Sequence, residues 1–136
     1  MSRDETIELI AAYYTAFNQG DAEGMLALVT PDVEHRVNEG AVRHGIDLFA
    51  EFCAHMGVSY NEELQDLTIF ATDSGARGAA EFVVHGEYLK TDPGLPEARG
   101  QRYVLPAGAF LDIRDGRISR ITTFYNLSDW IAQVSA

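Results

Sequence analysis

The chain has 136 residues, a formal net charge of -11, 46% hydrophobic and 23% charged residues. That length fits one domain over residues 1–136 with a real core, and the ordinary apolar fraction excludes a disordered chain. The acidic balance argues against nucleic acid and anionic membrane as partners, both of which are bound through clustered Lys and Arg. No run approaches the ~18 apolar residues of a membrane span, and the opening MSRDETIE lacks a signal-peptide core, so a cytoplasmic protein is expected. The single Cys53 excludes an internal disulfide and a cysteine-cluster metal site.

Ser2 and Glu5 form a capping-box pattern, and Ile7, Ile10, Tyr14 and Phe17 follow at helical spacing, with Tyr13 beside that stripe. Gly20 stops this helix and Asp21 caps a second, which buries Ala22, Met25, Leu26 and Val29 and ends at Thr30-Pro31-Asp32. Val33–Asn38 alternates as a strand, with Val33, His35 and Val37 on one face and Glu34, Arg36 and Asn38 on the other. Ile46, Phe49, Phe52, Cys53 and Met56 make the buried stripe of a third helix.

From Tyr60 the pattern is β-rich. Leu64–Thr72 and Ala76–Lys90 read as strands, the second with Phe82, Val84, Gly86 and Tyr88 on one face and Glu81, Val83, His85 and Glu87 on the other. Thr91–Gly100 carries two prolines and two glycines and reads as a long hairpin loop. Gln101–Asn126 reads as two long strands about an Asp115–Gly116 turn. Tyr103, Leu105, Ala107, Ala109 and Leu111 alternate with Val104, Pro106, Gly108 and Phe110, so both faces are mostly apolar and both need cover. Ile118 and Phe124 share one face of the second strand, and Ile121, Thr123 and Tyr125 the other. The small residues Ala107, Gly108 and Ala109 read either as a pocket floor or as a bulge. A short helix from Leu127 packs Trp130, Ile131 and Val134. Helices on one side of a curved, mainly antiparallel sheet make an α+β fold.

The stretches YYTAFNQGDAEGMLALVTPDVEH, RHGIDLFAEF and RDGRISRITTFYN resemble the nuclear transport factor 2-like superfamily, and within it the SnoaL-like and ketosteroid isomerase-related proteins. The likeness runs from about Ile7 to Val134. It implies a cystatin-like α+β barrel, in which a cone-shaped curved sheet wraps around the N-terminal helices and encloses an apolar pocket for a small molecule. It also implies a homodimer through the outer sheet face. Ketosteroid isomerases hold a dienolate oxygen with a Tyr and a protonated Asp, and move the proton with a second Asp. The Tyr falls on Tyr13, the proton-moving Asp on Arg36 and the protonated Asp on Gly108. Related proteins read His-Asp-x-Asn-Gln-Gly where this chain reads His35-Arg36-Val37-Asn38-Glu39-Gly40. Both carboxylates are missing, so standard steroid isomerisation is not expected.

Four residues are the candidates for chemistry. A buried Tyr13 phenol can donate to a developing enolate oxygen. Arg36, pointing inward with Asn38, would put a cation in the pocket and call for an anionic or carbonyl-bearing ligand; it reads equally as a rim arginine reaching water along its stem. Asn38 either orients a ligand carbonyl or closes a turn before Gly40, and a one-residue bulge would instead turn His35 inward. His35 is the general-base candidate, because an imidazole titrates near neutrality. Phe17, Phe52, Phe82, Val84, Gly108, Phe110, Ile121, Thr123 and Tyr125 fall on pocket-lining positions of the resembled family, though several read equally as core. Thr123 occupies the position of a catalytic Asp in related epoxide hydrolases and cannot serve as that base. His55 belongs on the outer flank of the third helix. His85 with Glu87 makes a weak metal signal, so no metal is expected, and neither is a cofactor, since no P-loop or dinucleotide fingerprint appears. Three functions remain in play: an isomerase, cyclase or dehydratase acting beside a carbonyl; a non-catalytic binder of an apolar or anionic small molecule; and a dimerisation module.

Overall fold

The computed structural model describes all 136 residues. Helix α1 (Arg3–Asn18) starts at the capping box: the Ser2 hydroxyl accepts from the Glu5 amide at 3.1 Å and the Glu5 carboxylate accepts from the Ser2 amide at 2.9 Å. Gly20 turns the chain at φ 67, and Asp21 caps the short α2 (Ala22–Leu26). There follow β1 (Val29–Val37), the two-residue β2 (Arg43–His44), α3 (Ile46–Ser59), β3 (Tyr60–Ala71), β4 (Arg77–Tyr88), β5 (Gln101–Arg114), β6 (Arg117–Tyr125) and α4 (Leu127–Ser135). No helix is long and apolar enough to cross a membrane.

The strands form one sheet in the order β2-β1-β6-β5-β4-β3. All neighbours are antiparallel except β1 and β6, which run parallel. The sheet curls, with α1 against β3 and β4, α3 against β1, and α4 against β5. The α+β architecture expected from the sequence is therefore present, but the second helix is shorter. Val29 and Pro31 lie in β1, not in the helix or its end. Pairing between β1 and β6 shifts register between Val29 and Glu34, and a strand tolerates a proline's missing N–H at such an irregularity.

The β5–β6 hairpin turns at Asp115 and Gly116, with φ of 53 and 75. Two consecutive positive φ values are what a primed turn matched to strand twist requires. In β5 the alternation holds: Tyr103, Leu105, Ala109 and Leu111 are buried, while Val104, Pro106 and Phe110 face out. In β6 it does not. Asp112 pairs with Arg120 and Ile113 with Ile118, which leaves Ser119 as an extra residue. This bulge moves Ile118 to the inner face beside Ile121, while Phe124 stays outside. The outer face then carries Val104, Phe110 and Phe124, each about half exposed, with the two phenylalanine rings edge to face at 6.0 Å.

Candidate functional site

The curl of the sheet and helices α1 and α3 enclose a cavity of about 580 Å³ with mainly apolar walls. Register along β5 runs unbroken through Ala107, Gly108 and Ala109, so these small residues mark no bulge; Ala107 lines the cavity. Of the wall positions expected from the sequence, Phe17, Phe52, Phe82, Val84, Ile121, Thr123 and Tyr125 line it, as do Tyr13 and His35. Gly108 and Phe110 do not. They fall on the alternate face of β5, where Phe110 is exposed, so the positions carried over from the resembled family do not reach the wall here.

His35 turns inward with Val33, and Arg36 turns outward. The expectation that Arg36 projects its charge into the main cavity is thereby corrected: the side chain is exposed and its Nε donates to the Gly40 carbonyl at 2.8 Å. Asn38 also stands outside the cavity wall. It closes β1 at φ 50, its amide donates to the Thr123 carbonyl and its Oδ1 accepts from the Tyr125 amide, both at 2.8 Å. Its part is to clamp β6 where Thr123 and Tyr125 reach the cavity.

The cation of the cavity is Arg43, which the sequence reading did not single out. Antiparallel pairing of β1 with β2 sets Arg43 opposite His35. Its guanidinium carbon lies 4.5 Å from the centre of the Phe52 ring, and it takes part in no salt bridge. His35 packs against Phe49 and Phe52 at ring distances of 4.9 and 4.4 Å. Burial, and after it the Arg43 charge, lowers its pKa to about 4, so the imidazole is uncharged at neutral pH. Its Nδ1 is sealed without a hydrogen-bond partner, which leaves Nε2 as the nitrogen open to a ligand.

Tyr13 and Tyr14 meet edge to face at 5.0 Å on α1. Burial drives both phenols well above their ordinary range, so both remain protonated donors. The Tyr14 hydroxyl is sealed without a partner. Cys53, pushed up to about 11 by burial, is a wall thiol and no nucleophile.

A second polar group sits where β3 and the 89–100 loop bound the cavity, and the sequence reading did not single it out. Tyr60 donates to Asp92 Oδ2 at 2.8 Å, and His55 Nε2 meets the same oxygen at 3.0 Å. His55 therefore lines the cavity, not the outer flank of α3. Beside them the Tyr103 hydroxyl donates to Glu62 Oε2 at 2.5 Å. Burial raises the Glu62 carboxyl, an effect that the Tyr103 bond partly offsets. No group of three or more His, Cys, Asp or Glu side chains is placed to hold a metal ion.

Comparison with known proteins matches a profile of the SnoaL-like domain family to residues 10–121. Among solved structures, a candidate polyketide cyclase from Xanthomonas campestris pv. campestris is 51% identical, with 98% of this chain and 99% of that one covered and a TM-score of 0.95. A candidate polyketide cyclase from a Silicibacter species is 58% identical, with 100% and 99% covered and a TM-score of 0.95. A third, from Pseudomonas putida, is 49% identical, with 98% of each chain covered and a TM-score of 0.94. No curated protein matches the chain.

Proposed function

The chain belongs to the SnoaL-like domain family, within the nuclear transport factor 2-like superfamily, and from that premise we propose that it is an enzyme of acid–base chemistry beside a carbonyl group, with intramolecular cyclisation as its reaction. The observation that carries the reading is His35: a buried, uncharged imidazole with an open nitrogen, next to an unpaired Arg43 in an apolar cavity. His35 Nε2 removes a proton from the carbon next to the carbonyl, and the electron pair moves onto the carbonyl oxygen. The Arg43 charge and the Tyr13 hydroxyl stabilise that enolate in a low-dielectric wall. The enolate carbon then forms a carbon–carbon bond to a second carbonyl of the same molecule, and the new alkoxide takes the proton back from the imidazolium.

The weak basicity of His35 narrows the substrate. A base with a pKa of about 4 is matched to an acidic C–H, and a carbon flanked by two carbonyls is far more acidic than one beside a single ketone. A poly-β-carbonyl chain supplies such carbons, in keeping with the polyketide cyclase description of relatives 49–58% identical. The test is turnover of a panel of 1,3-dicarbonyl compounds. His35→Phe is expected to lower kcat by roughly 10²-fold or more, the range of general acid–base catalysis, and Tyr13→Phe by less. Full turnover by His35→Phe would overturn the reading, and tight binding with no turnover in wild type would make the chain a binding protein for the same compounds.

A second copy of the chain is the proposed partner of the outer sheet face. The exposed Val104, Phe110 and Phe124 form an apolar patch of the kind that self-association covers.

A further inference from the structure

We infer that Glu62 is a second anchor of the cavity, which binds a hydroxyl group at the end of the ligand far from the carbonyl held near His35 and Arg43. The inference rests on the reading of the cavity as a site for a carbonyl-bearing molecule.

Three strands build the anchor. Glu62 on β3 lies opposite Gly86 on β4, and Gly86 lies opposite Tyr103 on β5. A Cβ at position 86 would fall 2.2 Å from Tyr103 Cζ and 2.4 Å from its hydroxyl. Only the missing side chain lets the phenol lie flat across β4 and reach Glu62 Oε2 at 2.5 Å. Tyr103 thus occupies one carboxylate oxygen and fixes the other. Oε1 has no partner in the protein, yet it is not among the sealed polar atoms, and Glu62 lines the cavity. A carboxylate oxygen that has no protein partner and is reachable from the cavity offers a place for a donor from a ligand.

Donor counting identifies the ligand group. The neighbouring Asp92 already has Oδ2 engaged by Tyr60 and His55. At Glu62 the free acceptor is the single oxygen Oε1. A hydroxyl brings a single donor and suits a carboxyl whose charge burial already disfavours. The sheet order sets β3, with Glu62, at the opposite edge from β1 and β2, with His35 and Arg43. The ligand that meets both groups therefore carries a carbonyl and a hydroxyl at separate points of a largely apolar frame.

Calorimetric titration of the intact chain with flavanone, 4′-hydroxyflavanone and 4′-aminoflavanone tests this. The hydroxyl compound is expected to bind about 10-fold tighter than flavanone or better, the advantage of one hydrogen bond to a carboxylate. In Glu62→Gln the amide carbonyl takes the Tyr103 proton and an NH₂ faces the ligand, so the ratio falls to about one while flavanone binds as before. Tyr103→Phe, which removes a single oxygen, is expected to shrink the ratio as well and serves if Glu62→Gln does not fold. Equal affinities in wild type, a ratio unchanged in Glu62→Gln, or preference for the amine would each overturn the inference and leave the carbonyl site standing. Failure of all three compounds to bind would overturn the inference, while the carbonyl site is judged separately by turnover of the 1,3-dicarbonyl panel.

Discussion

Replacing His35 by phenylalanine should remove a large part of the protein's sensitivity to acid. Burial and the Arg43 charge hold the imidazole at about 4 in the folded chain, against about 6.5 when unfolded. Between those values the unfolded chain binds the proton and the folded chain does not, so stability rises with pH through that window. Above it His35 contributes nothing, and below about 4 the full penalty applies. The whole gap corresponds to roughly 3 kcal/mol, of which roughly 2 kcal/mol falls between pH 7 and pH 5. Glu62, raised by burial, works in the opposite direction at the acid end of this range. Asp32 and Asp112, lowered by hydrogen bonds from Arg114 and Arg120, lose their contribution only below about pH 4. These groups are common to both proteins and cancel in the comparison. Phenylalanine also fits the aromatic slot between Phe49 and Phe52 and removes the unpartnered Nδ1, so the variant should be at least as stable as wild type at pH 7. Urea unfolding followed through Trp130 at pH 7 and pH 5 gives the measurement. Wild type should lose about 2 kcal/mol more than His35→Phe over that interval. The same loss in both proteins, or an NMR titration of His35 near 6.5, would refute the reasoning.

Gly86→Ala should destabilise the fold by roughly 1–3 kcal/mol, the usual cost of overpacking, because its Cβ would meet the Tyr103 ring at 2.2 Å; in a Tyr103→Ala background the same change should cost much less, and thermal melts of the four proteins would show whether it does. Gly116→Ala should cost roughly 1–2 kcal/mol for a left-handed residue at φ 75, whereas Asp115→Asn should be nearly neutral, since asparagine tolerates that region; an unaffected Gly116→Ala melt would contradict the turn assignment. Phe110→Asp combined with Phe124→Asp should shift the protein from dimer to monomer in sedimentation without loss of helix or strand signal, and a wild-type monomer would remove the proposed partner.

Local signals in the chain were enough for much of the fold. The Ser2–Glu5 capping box, the Asp115–Gly116 turn and the two-residue period of β4 and β5 each act within a few residues, and the folded chain keeps all of them. Periodicity also placed Phe82, Val84 and Ile121 on inward faces. Where one residue breaks the period, as Ser119 does, the residues before and after it no longer share a phase, so Ile118 joins Ile121 on the inner face, and composition does not mark such a bulge. The same ambiguity left His35 and Arg36 undecided until β1 paired with β6 and β2. Arg43 owes its place beside His35 to that pairing, and the Glu62–Tyr103 hydrogen bond joins residues 41 positions apart across a glycine that merely weakens a strand when read alone. A side-chain period says which residues share a face of one strand. It carries nothing about which strand lies beside it, and the polar groups of this cavity act in pairs drawn from different strands.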